Sequence, residues 1–77
     1  MVSCSEMEER IRLHLEPEEL NVVVISEEDR KYSVSIVSEK FNGVPLVKRH
    51  RMVNDLFKEE LLSGEIHALT ITAKPPM

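Results

Sequence analysis

Tryptophan is absent, cysteine occurs once and glycine twice in this chain of 77 residues. A single thiol, Cys4, excludes an internal disulfide and a zinc site built from cysteines alone. With only Gly43 and Gly64, there is no glycine-rich loop to cradle phosphates and no serine flanked by glycines. The aromatics are Tyr32, Phe41 and Phe57, too few for a platform on which bases stack. No apolar run approaches the roughly 18 residues of a membrane span. The first ten residues hold Glu6, Glu8 and Glu9 and no base before Arg10. That fits neither a secretory signal nor an Arg-rich, acid-poor presequence, so the expected location is the cytoplasm, with diffusion into the nucleus open. At this length the expectation is one domain over residues 1–77, stable by about 4–12 kcal/mol. Such a chain buries about 60–65% of its unfolded surface, which leaves little room for a deep, dry catalytic cavity. Cys4, expected ahead of the first helix among fraying residues, has no base placed to activate it, so the chain does not read as an enzyme.

What is present is charge, unevenly placed. Residues 1–29 carry nine acids and two bases, whereas residues 30–51 carry six bases and one acid. The net charge of -4 and the pI of 5.3 therefore hide a basic middle third. A domain that binds nucleic acid usually has a basic pI overall. A local basic patch in an acidic protein suits an acidic protein partner or a phosphorylated small molecule equally well.

Ser5-Glu6-Met7-Glu8 has capping-box spacing, and Met7, Ile11 and Leu15 recur on one face, which predicts a helix over 5–15. Pro17 ends it, because the residue before a proline is pushed out of the helical region. The β-branched run 20–25 predicts a strand. Ser26-Glu27-Glu28-Asp29 reads as a polar turn, and Tyr32, Val34 and Ile36 alternate with Ser33, Ser35 and Val37 as a second strand over 30–37. Phe41-Asn42-Gly43 then makes a tight connection, Gly43 taking positive φ. Pro45 is placed as the first residue of a second helix, whose core stripe is Leu46, His50, Val53, Phe57 and Leu61. Gly64 stops it, with a short helical turn open around Ser63–Ile66. Alternation over 67–72 predicts a third strand. Two amphipathic helices on a three-stranded sheet make an α+β sandwich in the order α-β-β-α-β.

Three histidines and a basic cluster are the residues that could carry chemistry. His14, near the end of the first helix, suits the terminal carbonyls. His50 lies on the core stripe between Arg49 and Arg51, whose guanidinium forks suit carboxylates or phosphates. His67 stands just after the turn at Gly64, at a strand mouth where an imidazole is accessible to a metal.

Phe41-Asn42-Gly43, Arg49-His50-Arg51-Met52-Val53, Glu59-Glu60-Leu61 and Ile66-His67-Ala68-Leu69 together closely resemble the BolA family. The resemblance runs from Phe41 to Ile71, and the α-β-β first half agrees in order and length. It implies a three-stranded mixed sheet covered by helices, α-β-β-α-α-β, related to type II KH domains. It further implies pairing with a monothiol glutaredoxin and a bridging 2Fe-2S cluster, held with glutathione only in that complex and not by the protein alone. His67 matches the family's ligating histidine. Relatives that hold the cluster usually offer a second Cys or His between the first two strands, but here residues 26–31 contain neither. His50 is a candidate secondary ligand, and Cys4 a weaker one. Lys48, Arg49 and Arg51 are the expected partner-binding residues. Alone, the protein is expected to be a monomer or weak homo-oligomer, with no membrane association. The competing reading is a nucleic-acid-binding regulator using the basic segment 47–51. It lacks the G-x-x-G clamp of a KH domain.

Overall fold

The computed structural model describes residues 2–76. Helix α1 spans Cys4–Leu15, and strands β1 (Glu19–Ser26) and β2 (Lys31–Val37) follow. A 3-10 turn over Glu39–Phe41 then leads to helices α2 (Leu46–Leu56) and α3 (Lys58–Ser63), and strand β3 (Ala68–Lys74) closes the order. The expected α+β architecture with a mixed three-stranded sheet is what forms. β2 is central, antiparallel to β1 and parallel to β3.

The alternation in β2 decides which face is covered. Tyr32, Val34 and Ile36 are fully buried, and the register sets them beside Val24, Val22 and Leu20 on one side and Leu69, Ile71 and Ala73 on the other. Side chains two apart share a face of a strand, so these rows form the side on which the helices pack. Met7, Ile11 and Leu15 from α1, with Val53, Phe57 and Ile66, complete the core.

Helix α1 starts one residue earlier than the spacing predicts, at Cys4. Ser3, not Ser5, is the cap, accepting from the Glu6 amide at 3.1 Å, while its own hydroxyl lies 3.4 Å from the Glu6 carboxylate. Both serines have an acid three residues on, and burial chooses between them. Capping at Ser3 places Val2 just before the cap and Met7 at the fourth helical position, the arrangement of a hydrophobic staple. Both are buried in the same cluster. Cys4 is therefore the first residue of α1, half-buried against the core rather than frayed. At the other end Glu16 takes φ 45, outside the helical region that Pro17 disfavours for the residue before it.

The second helix is divided. Pro45 stands outside it as the cap, and α2 ends where Phe57 leaves helical geometry at φ -116, ψ 22. The extra helical element is Lys58–Ser63 and not a turn around Ser63–Ile66. Arg10 holds the break from α1: its Nη1 donates to the Leu56 carbonyl at 2.8 Å, and its guanidinium makes a two-pronged pair with Glu60 at 2.8 and 2.9 Å. The same group lies 5.3 Å from the centre of the Phe57 ring. Leu46, placed on the core stripe by spacing, is 56% exposed. The stripe is fully buried only at Val53 and Phe57, and Leu61 and Leu69 are half-buried.

Two poles result. At one, the Ser38 amide donates to the Lys74 carbonyl at 3.0 Å and the buried Ser38 hydroxyl donates to the Leu15 carbonyl, joining the ends of α1, β2 and β3. At the other lie the start of α1, the β1–β2 turn and the start of β3. There the Tyr32 hydroxyl donates to the Val2 carbonyl at 2.9 Å, tying down the segment before α1. Burial pushes the Tyr32 phenol above its ordinary range.

Candidate functional site

His67 belongs to this second pole. The polar run 26–29 turns the chain because the Ser26 hydroxyl accepts from the Asp29 amide at 3.2 Å, a side-chain mimic of a backbone turn. Arg30 ends the turn at φ 54, in the left-handed region that non-glycine residues avoid. Its carbonyl then faces the incoming chain and accepts from the amides of His67 at 2.8 Å and Ala68 at 3.4 Å. Its guanidinium donates to the Gly64 carbonyl at 3.1 Å.

The approach from α3 is equally fixed. Gly64 closes α3 at φ 87, and the amides of Gly64 and Ile66 both donate to the Glu60 carbonyl at 3.1 Å. Ile66 is fully buried, so His67, one residue on, is exposed. The strand itself begins at Ala68, which leaves His67 at the mouth of β3 rather than inside it. Glu28, Asp29, Arg30, Gly64 and His67 line one open notch of about 350 Å³.

Chemically the notch offers one imidazole, two hard carboxylates and one guanidinium. Among the described residues no three His, Cys, Asp or Glu side chains are grouped as a metal ion requires. Imidazole suits iron and zinc, whereas carboxylates suit magnesium, calcium or manganese. Among the residues lining the notch, His67 alone offers a donor of the softer kind.

The other candidates lie elsewhere. Arg49 donates to the Val44 carbonyl at 2.8 Å and to Ala73 at 2.9 Å, so it stitches α2 to the far end of β3. Six residues of strand separate Ala73 from His67, roughly 20 Å at about 3.3 Å per residue. His50 is half-buried in α2 and does not line the notch, and neither does Cys4. Lys48 and Arg51 are exposed on α2 beside Leu46 and Val47, which are 56% and 72% exposed. That is a mixed basic and apolar surface, separate from the notch. Lys40 pairs with Glu16 at 3.4 Å.

Three residues escaped the sequence reading. Arg30 stands by sequence at the junction of the polar loop and the 30–37 strand, and nothing in its type signals a left-handed backbone. Arg10 and Glu60 are 50 residues apart, and their pairing is visible only once α1 lies against the α2–α3 junction. The Arg10 hydrogen bond holds the Glu60 carboxyl below the ordinary carboxylate range and raises Arg10 in return.

Comparison with known proteins places this geometry in context. A family model described as BolA-like protein matches residues 11–77. The chain is 39% identical to the chloroplastic protein BOLA1 of Arabidopsis thaliana over 95% of its own length and 53% of that protein's, so it spans about half of that relative. The solved structure of BolA1 from Arabidopsis thaliana covers 99% of this chain, and 95% of that chain is covered in turn, at 40% identity and a TM-score of 0.87. The BolA domain of SufE1 from Arabidopsis thaliana superposes with the same TM-score at 37% identity, covering 99% of this chain and 96% of that one. No helix among the described residues is long and apolar enough to cross a membrane.

Proposed function

We propose that this chain, which belongs to the BolA family, is an adaptor that docks a monothiol glutaredoxin and contributes His67 to a shared 2Fe-2S cluster in iron–sulfur trafficking or iron homeostasis. The observation that carries the reading is the His67 notch. A lone exposed imidazole, with its backbone pinned and no second soft donor beside it, is half of a coordination site. Imidazole in place of thiolate raises the potential of such a cluster, and that is the chemistry the bound group would supply. The protein's own part is to present the nitrogen, to exclude competing donors, and to hold the partner.

For holding the partner we assign Lys48 and Arg51, with Leu46 and Val47 adding apolar contact. Arg49 contributes less, because its guanidinium is committed to backbone carbonyls.

The nucleic-acid reading is weaker. With the Arg49 guanidinium committed to backbone carbonyls, the exposed basic side chains of α2 reduce to Lys48 and Arg51. Two phosphate contacts give little affinity at physiological salt.

The test mixes the protein with a monothiol glutaredoxin, iron, sulfide and glutathione, alongside a salt-dependent titration with duplex DNA. A coloured complex of defined stoichiometry with weak DNA binding is expected. Tight DNA binding with a steep salt slope and no coloured complex would overturn the proposal.

A further inference from the structure

The residue facing His67 across the notch is bound at both ends. The Arg30 carbonyl accepts from the His67 and Ala68 amides, and its guanidinium donates to Gly64, three residues upstream of His67. One residue thus clamps both ends of the segment 64–67, by its main chain on one side and its side chain on the other. Its backbone sits at φ 54, where glycine is unstrained and arginine is not. In return for that local strain the side chain secures the Gly64 contact. We infer that Arg30 is a positioning residue for His67: it fixes the imidazole at the rim of the notch at the expense of local backbone strain. Strain of this kind persists only where surrounding contacts over-determine it, and it concentrates where pre-organisation matters.

The consequence is a separation of stability from site geometry. Arg30→Gly relieves the backbone and removes the tether together, while the carbonyl at position 30 remains. Arg30→Lys keeps a cationic donor within reach of Gly64 and keeps the strain. Glu28 and Asp29 lie on the same notch and stay unchanged in both variants.

This inference rests on the reading of His67 as a ligand, and the experiment separates the two. In the free protein, thermal unfolding is measured together with amide hydrogen exchange at His67 and Ala68 and the relaxation of the His67 ring. Affinity for glutaredoxin with its cluster is then measured for each variant. Arg30→Gly is expected to unfold at the same or a higher temperature, yet to exchange at His67 about tenfold faster and to bind about tenfold more weakly. Arg30→Lys should restore most of both. Exchange at His67 within twofold of the parent in Arg30→Gly would overturn the positioning role. So would a fall in global stability large enough to account for the faster exchange. A loosened His67 with an unaltered glutaredoxin complex would leave the clamp standing and contradict the ligand role of His67.

Discussion

Replacing Arg10 with Met removes three interactions at once. The pair with Glu60 is partly buried, with side-chain exposures of 32% and 13%. Its loss should therefore fall between the about 0.2–1 kcal/mol of an exposed pair and the 3–5 kcal/mol of a broken buried one, and we take about 1.5 kcal/mol. The Leu56 carbonyl loses its donor, about 1 kcal/mol, and the contact with the Phe57 ring is worth about 0.5 kcal/mol. Arg10→Met should therefore cost about 3 kcal/mol, out of a total of about 4–12 kcal/mol. Glu60→Gln keeps the other two contacts and should cost about 1 kcal/mol. Urea denaturation of both single variants and the double variant then yields a coupling energy, expected near 1–1.5 kcal/mol. Acid adds a second signature. The folded-state pKa of Glu60 is depressed, so its contribution is present above the unfolded value of about 4.3 and is lost as pH falls through the lower folded value. The stability gap between parent and Glu60→Gln should close below that window. A coupling under about 0.3 kcal/mol, within the error of additivity, or a gap that persists at acid pH, would refute the reasoning.

Three further outcomes follow from the packing and the surface. Phe57→Ala should lose about 3–5 kcal/mol in chemical denaturation, because the ring is fully buried at the α2–α3 break; a loss under 1 kcal/mol would contradict that placement. Ser3→Ala should cost about 1 kcal/mol and Ser5→Ala under about 0.5 kcal/mol by the same assay, since Ser3 alone caps α1. Arg51→Glu should slow association with glutaredoxin in a salt-dependent way while leaving thermal stability unaltered. Unchanged on-rates at low salt would remove Arg51 from the interface.

The legible parts of this fold are those set by periodicity. Alternation from Tyr32 to Val37 locates the central strand and its buried face, and the spacing of Met7, Ile11 and Leu15 locates the inner face of α1. Exposure of His67 follows from a β-type position after buried Ile66. The choices that failed are between local signals of equal strength. Ser3 and Ser5 both have an acid three residues on, and only the burial of Val2 selects between them. An unbroken stripe from Leu46 to Leu61 reads as one helix, because the cause of its division, Arg10, lies in a different element. The left-handed Arg30 has no local signature, since its conformation is held by contacts with Gly64, His67 and Ala68. His67 is thus legible in the sequence, and the left-handed Arg30 that lines the notch with it is not.

The central claim is that His67 presents its ring nitrogen to a shared cluster, and nitrogen hyperfine spectroscopy of the reduced glutaredoxin complex tests it most directly. The parent should show strong coupling to an imidazole nitrogen, absent in His67→Ala and retained in both His50→Ala and Cys4→Ser, with circular dichroism confirming an intact fold in every variant. The same nitrogen coupling in His67→Ala as in the parent would contradict it.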